Sequence, residues 1–162
     1  MSTITVSVDS FEDWYEAVAP KLTRALAGMT GDADVARDLT AEAFARALKR
    51  WDHVSRDVAS PDDWVFRVGI NLVRRHGRRL FRRDLPMAEP VDAGHFPDVD
   101  LWRAVAALPR RQREIVVLRY LGDLTEAGVA GALGISEGAV SANLTKARRS
   151  LRTALAKGDD DG

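Results

Sequence analysis

The chain has 162 residues that carry 24 basic and 24 acidic side chains, with 46% hydrophobic residues and no cysteine. This length suits one ordinary domain or two lean ones, and the lack of thiols excludes disulfides and thiolate metal sites and points to a reducing compartment. Net neutrality argues against indiscriminate polyanion binding, so any nucleic-acid role must rest on charge segregated along the chain.

The opening stretch MSTITVSVDSFEDW has no basic flank and no long apolar run. No later stretch approaches the roughly 18 apolar residues of a membrane span, so the expected location is cytoplasmic. Residues 1–9 read as a loose tail. Ser10 is placed to cap a first helix from Phe11, and Gly31 to stop it. A second helix is predicted from Ala33 to Trp51, with Leu39, Ala43, Phe44, Ala47, Leu48 and Trp51 on one apolar face. On the opposite face Asp34, Asp38 and Glu42 recur every four residues. Stacked like charges cost a few tenths of a kcal/mol per pair, which the helix dipole and Arg46 partly offset. The stripe reads equally as a solvated face or as a docking face for a basic protein surface.

DHVSRDVA follows as a loop, and SPDDW then supplies a cap at Ser60, proline at the first helical position and two acids against the dipole of a third helix. Residues Arg67 to Arg83 contain seven arginines and no acid. On a helical wheel Val65, Val68 and Leu72 form one apolar strip and Phe66, Ile70 and Val73 another, with Arg67, Asn71, Arg74 and Arg78 between them. Arginine suits phosphate oxygens and asparagine can pair with a base edge. A solvated basic face is the alternative, although seven like charges repel one another and favour an anionic partner.

Asp84 to Asp98, DLPMAEPVDAGHFPD, has three prolines, four acids and no apolar periodicity, which predicts a linker. Helical periodicity returns from Leu101 to Ala156, broken at Leu108/Pro109, Gly122 and Gly134, before the solvated tail GDDDG. The fold predicted is all-α: two small helical domains, 1–83 and 99–162, joined by a flexible linker, 84–98, that acts as an extended tether and not through a packed interface. Around Gly134 a short helix turns into a second one with Val140, Leu144, Ala147 and Leu151 inward, the signature of a helix-turn-helix. That spacing leaves Ser141, Ala142, Thr145, Lys146 and Arg149 facing outward, flanked by Arg148 and Arg152. An ordinary amphipathic helix with solvated arginines is the bland reading. His53, His76 and His95 are scattered, and neither a nucleophile motif nor a phosphate-cradling glycine loop is present. The reading is a protein that is not an enzyme, with no cofactor and no metal.

DVARDLTAEAFARALKRWD, SPDDWVFRVGINLVRRHGRR and LPRRQREIVVLRYLGDLTEAGVAGALGISEGAV, in that order and spacing, resemble the extracytoplasmic-function (ECF) group of sigma-70 family RNA polymerase sigma factors from roughly Phe11 to Leu155. The resemblance implies a region 2-like first domain, a region 4-like second domain, and core RNA polymerase and promoter DNA as partners. Asp38, Leu39, Glu42 and Phe44 match the segment that docks on the polymerase clamp, and Asp34 extends it. Trp64, Arg67 and Asn71 match the segment associated with the −10 element, to which the ribbon adds Arg74, Arg75 and Arg78. Gln112, Arg113 and Glu114 match the start of the helices leading to the −35 reader, so the expected −35 contacts are Arg113, Ser141, Ala142, Thr145, Lys146 and Arg149. The Asp52 to Ala59 loop falls where the family captures an unpaired promoter base. Many family members are held inactive by an anti-sigma factor, a third candidate partner. Ala41 stands where glutamine is common, Gly128 where an acid is usual, and Ser141, Ala142 and Asn143 where a basic residue, serine and arginine are typical.

The rival is an autonomous helix-turn-helix repressor or activator with a helical sensor domain, which leaves the acidic stripe and Asn71 idle. A helical adaptor that binds only protein leaves the DNA-reading helix idle.

Overall fold

The computed structural model describes residues 8–80 and 99–160, and every regular element among them is helical. The N-terminal group comprises α1 (Val8–Thr30), α2 (Ala33–Lys49), α3 (Trp51–Arg56) and α4 (Pro61–Leu80). The C-terminal group comprises α5 (Val99–Ala106), α6 (Arg110–Tyr120), α7 (Glu126–Leu133) and α8 (Glu137–Asp160). The predicted linker and residues 1–7 of the predicted tail lie outside the described residues.

α1 and α2 form an antiparallel pair because Gly31 adopts a left-handed φ of +72° at the predicted stop, a conformation open to glycine at little cost. The Asp32 carboxylate then caps α2, accepting from the backbone N–H groups of Asp34 at 2.9 Å and Val35 at 3.1 Å. Leu22, Ala25 and Leu26 of α1 share a core with Ala36, Leu39, Ala43 and Phe44 of α2, and the Thr23 and Thr40 hydroxyls lie 3.1 Å apart across that seam. At one end Phe11, Trp14, Tyr15, Phe44 and Trp51 form an aromatic cluster, with Phe11 edge-on to Trp51 at 5.0 Å. The Trp14 indole N–H donates to Asp62 at 2.6 Å and ties α1 to the first turn of α4.

α4 starts at Pro61 as expected, with Ser60 Oγ accepting from the Asp63 N–H at 3.3 Å. Its two apolar strips bury Val65, Phe66, Ile70 and Leu72. In the C-terminal group Val140, Leu144 and Ala147 are buried on α8 as the spacing predicted.

Four expectations need correction. α1 begins at Val8, so Ser10 lies inside the helix and does not cap it. The second helix stops at Lys49, and residues 51–56, read as mostly loop, form α3. The interruption at Arg50, with φ −113°, turns Trp51 back onto Phe11 and Trp14 and leaves Leu48 53% exposed. α8 continues through Gly158 to Asp160, so the acidic tail is helical that far.

The fourth correction concerns the expected lack of a packed interface between the halves. The two helical groups are packed together: α4 lies on α7 and α1 on α6, and one apolar cluster runs through both. The backbones approach so closely that a β-carbon added at Gly28 would lie 2.9 Å from Val117 Cγ1, and one at Gly122 2.9 Å from Phe66 Cε1. Neither group is large enough to bury all of its apolar surface alone, and each completes the other's core.

Candidate nucleic-acid interface

Three surfaces carry the segregated charge. The first is the outer face of α2, where Asp34, Asp38 and Glu42 are exposed while Leu39 and Phe44 point into the core. Two of the acids are paired on their own helix, Asp34 with Arg37 and Glu42 with Arg46 at 2.7 Å. Such solvated pairs contribute little to stability. Asp38 has no cationic partner among the described residues, so it is the least compensated charge of the stripe. Leu39 and Phe44 thus support this face from beneath.

The second surface is the ribbon of α4. Asn71 and Arg75 are exposed, and the Arg78 side chain lies outside the described residues. Arg67 and Arg74, which the wheel placed beside Asn71, are engaged by the other half of the chain. Arg67 donates to the Gly131 carbonyl of α7 at 2.5 Å. Arg74 donates to Glu114 of α6 at 3.3 Å, and Arg110 reaches the same carboxylate at 3.0 Å. Glu114 is only 6% exposed; a buried carboxylate needs such partners, since desolvation would otherwise make its charge costly. The sequence motif contained Glu114 but gave no sign that it would meet Arg74. Beside this contact Asp63 has its pKa raised, chiefly because it is buried against α7; a hydrogen bond from Ser60 opposes the shift, Asp62 adds to it and Arg67 opposes it.

The third surface is the helix-turn-helix. Thr125 caps α7 by accepting from the Gly128 N–H at 3.0 Å. Gly134 takes φ +68° at the turn, and Ser136 caps α8 by accepting from the Ala139 N–H at 3.1 Å. Ser141, Ala142, Thr145, Lys146 and Arg149 are all exposed on α8. Their freedom differs. The Ser141 hydroxyl donates to Glu126 at 2.9 Å and the Thr145 hydroxyl to the Ser141 carbonyl at 3.0 Å, while Arg148 is held by the Tyr120 hydroxyl at 2.7 Å. Lys146 and Arg149 are turned to solvent, as is the flanking Arg152, and Ala142 offers a methyl of the kind that contacts thymine. Arg113 is half-buried and donates to the Ala106 carbonyl at the end of α5 at 3.2 Å. Glu126, whose carboxylate borders the reading face, escaped the sequence reading because its contact with Ser141 crosses the turn.

Comparison with known proteins accounts for both halves. The family model described as Sigma-70 region 2 matches residues 14–83, and that described as Sigma-70, region 4 matches residues 98–151. The chain is 30% identical to the RNA polymerase sigma-E factor of Streptomyces antibioticus, over 93% of this chain and 87% of that one. It is 29% identical to the ECF RNA polymerase sigma factor BldN of Streptomyces coelicolor, over 91% of this chain but 61% of that longer protein. In fold it resembles the sigma factor RpoE of Bartonella quintana, solved in complex with the anti-sigma factor NepR: TM-score 0.73 at 23% identity, covering 91% of this chain and 98% of that one.

Proposed function

The chain belongs to the ECF group of the sigma-70 family, whose members direct RNA polymerase to promoters, and from that premise we propose how its three surfaces divide the work. Residues 1–83 act as region 2, 84–98 as the connection and 99–162 as region 4. The exposed face of α2, with Asp38 at its centre and Asp34 and Glu42 beside it over Leu39 and Phe44, docks on a basic surface of core RNA polymerase. Arg67, Asn71, Arg74, Arg75 and Arg78 contact the −10 element: arginines neutralise phosphates and fix register, and the asparagine reads a base edge. Lys146 and Arg149, with Ser141, Ala142 and Thr145 around them and Arg113 at the flank, contact the −35 element from the major groove.

The observation that carries this reading is that one chain presents an exposed acidic face, with Asp38 uncompensated at its centre, and two separate faces bearing exposed cations on successive helical domains. An autonomous repressor has no use for the first of these. With a net charge of zero the free protein has little non-specific hold on DNA, and its specificity is conditional on the enzyme it joins. The work is done where polymerase and chromosome are, in the cytoplasm; among the described residues no helix is long and apolar enough to cross a membrane. The test is run-off transcription with core polymerase on genomic promoter fragments from the source organism. Transcripts that start at defined sites only when the chain is added are expected. Tight, sequence-specific DNA binding by the isolated chain, with no stimulation of core polymerase, would overturn the assignment.

A further inference from the structure

A cavity of about 480 Å³ is lined by Arg74 of α4 and by Arg110, Arg111 and Glu114 of α6. Three guanidinium groups against one carboxylate leave a surplus of two positive charges on its wall. The buried Glu114 accepts from Arg74 Nη2 at 3.3 Å on one oxygen and from Arg110 Nε at 3.0 Å on the other, so it holds both guanidinium groups in place. Their donors are not exhausted, since each guanidinium carries five N–H groups. Arg74 Nε is buried and has no acceptor. Arg110 keeps both terminal nitrogens without a protein acceptor among the described residues. Arg111 is exposed and has no acidic partner among the described residues.

The arrangement is unfavourable as it stands. Arg110 and Arg111 occupy the first turn of α6, which holds no acid, and Pro109 before it gives no side-chain cap, so two cations sit against the positive end of the helix dipole. A buried donor without an acceptor on Arg74 adds to the cost. Surface arginines are ordinarily just solvated. These three converge from two helices on one hollow, and the one carboxylate among them orients two of them without cancelling the charge of the set. A multiply charged oxyanion offsets each of these costs, because planar guanidinium groups pair bidentately with phosphate oxygens. The volume lies within the roughly 300–1,000 Å³ of small-molecule sites. All four lining side chains are charged, so the wall offers nothing to an apolar ligand body.

We infer that this cavity is a binding site for a small polyphosphate anion, with Arg111 and the unused nitrogens of Arg110 and Arg74 as its donors and Glu114 as the residue that positions them. The surplus of two charges matches a ligand of at least two negative charges, such as a diphosphate group. The site shares no residue with the acidic face of α2 or the outward face of α8, and only Arg74 with the ribbon of α4. It uses nothing of the sigma-factor reading and stands or falls apart from it.

The test is calorimetric titration of the full chain with inorganic pyrophosphate, without divalent metal and at constant ionic strength. Saturable binding of a single pyrophosphate per chain is expected. Arg111→Ala should weaken it at least about tenfold, the loss of one charge-assisted contact. Arg111→Lys keeps the charge without the planar fork and should fall between the two. Arg149→Ala removes a cation of α8 that does not line the cavity and should bind as wild type does. Arg111 is exposed, so its variants should keep the wild-type urea midpoint. ADP carries the same diphosphate on a nucleoside: an equal Kd leaves the bare anion as the ligand, a tighter one assigns the site to a nucleotide, and either result keeps the site. Absence of saturable binding would overturn the proposal. Equal losses in Arg111→Ala and Arg149→Ala would also overturn it, by reducing the binding to general attraction between surface charge and anion. Displacement of pyrophosphate by a short single-stranded oligonucleotide without a −10 sequence would give the three arginines to the nucleic-acid backbone and overturn the small-anion site.

Discussion

Asp38 offers the sharpest separation of folding from function. It sits between Asp34 and Glu42 on an exposed face, and those two acids are already paired with Arg37 and Arg46. Asp38→Lys removes two like-charge neighbours at four-residue spacing and creates two opposite-charge ones, each worth about 0.2–0.5 kcal/mol. Because both neighbours already hold arginine partners and all of these charges are solvated, only part of that sum is realised, and stability should stay level or rise by about 1 kcal/mol at most. Glu42→Lys behaves differently: it breaks the 2.7 Å pair with Arg46 and sets two cations one turn apart, so it should cost about 0.5 kcal/mol. If the face docks on a basic surface, reversal of Asp38 turns an attractive contact into a repulsive one. The expected loss is about 2 kcal/mol or more, roughly thirtyfold in Kd. Fluorescence anisotropy of labelled chain titrated with core polymerase measures the second quantity, and urea unfolding the first. An Asp38→Lys chain of unchanged Kd, or one that loses affinity only in step with stability, would refute the reasoning and return the stripe to a solvated face.

Phe66 is 1% exposed at the joint between the halves, so Phe66→Ala should destabilise the chain by about 3–5 kcal/mol, lowering Tm by roughly 6–20 °C in calorimetry; a loss below about 1 kcal/mol would mean that the joint is loosely packed. Asp63 has its pKa raised by burial against α7, so the packed state binds its proton more tightly than the unfolded chain. Its contribution to stability is fully present below the unfolded pKa and is lost as pH rises through the raised one. Asp63→Asn should then exceed wild type in urea midpoint at neutral pH, with the gap closing as pH falls into the usual carboxylate range; a gap independent of pH would show that Asp63 does not titrate against the interface. On α8, Lys146→Ala should lower the salt dependence of promoter-complex formation by about one unit of slope. Arg148→Ala should change it less, because Tyr120 already holds that guanidinium; equal effects from both would contradict the assigned freedom of the two cations.

Local chemistry was readable wherever one helix decides the outcome. Ser60 followed by proline and two acids announced α4, and the 140, 144, 147 spacing put the buried side of α8 where it is. The exposed positions on α2 and α8 followed from the same periodicity. What escaped is tertiary. The wheel placed Arg67, Asn71 and Arg74 on one ribbon between two apolar strips, but a wheel says which residues share a face and nothing about what covers it. Arg67, itself still exposed, reaches the Gly131 carbonyl and Arg74 the Glu114 carboxylate, 64 and 40 residues away. The short helix α3 was missed for a related reason: Arg50 interrupts the pattern by one residue, and the Trp51 packing that rewards the break comes from α1. Glu114 looked like one more charged residue in a basic motif because its burial depends on the far domain.

These missed contacts bear on how a neutral chain can serve a polyanion. Neutrality of the sum explains weak non-specific binding only if opposite charges are spread evenly or meet one another. In the packed chain they meet selectively: the buried Glu114 takes up Arg74 and Arg110, whereas Asp38 and Lys146 face water. On the N-terminal half this pairing takes Arg74 out of the ribbon of α4 and leaves Arg67 and Arg75 exposed there, opposite in sign to the acid of α2. Electrostatic steering acts on exposed charge, not on the total, so a chain that sums to zero still presents Asp38 to a basic protein surface on one helix and Arg75, Lys146 and Arg149 to a polyanion on others.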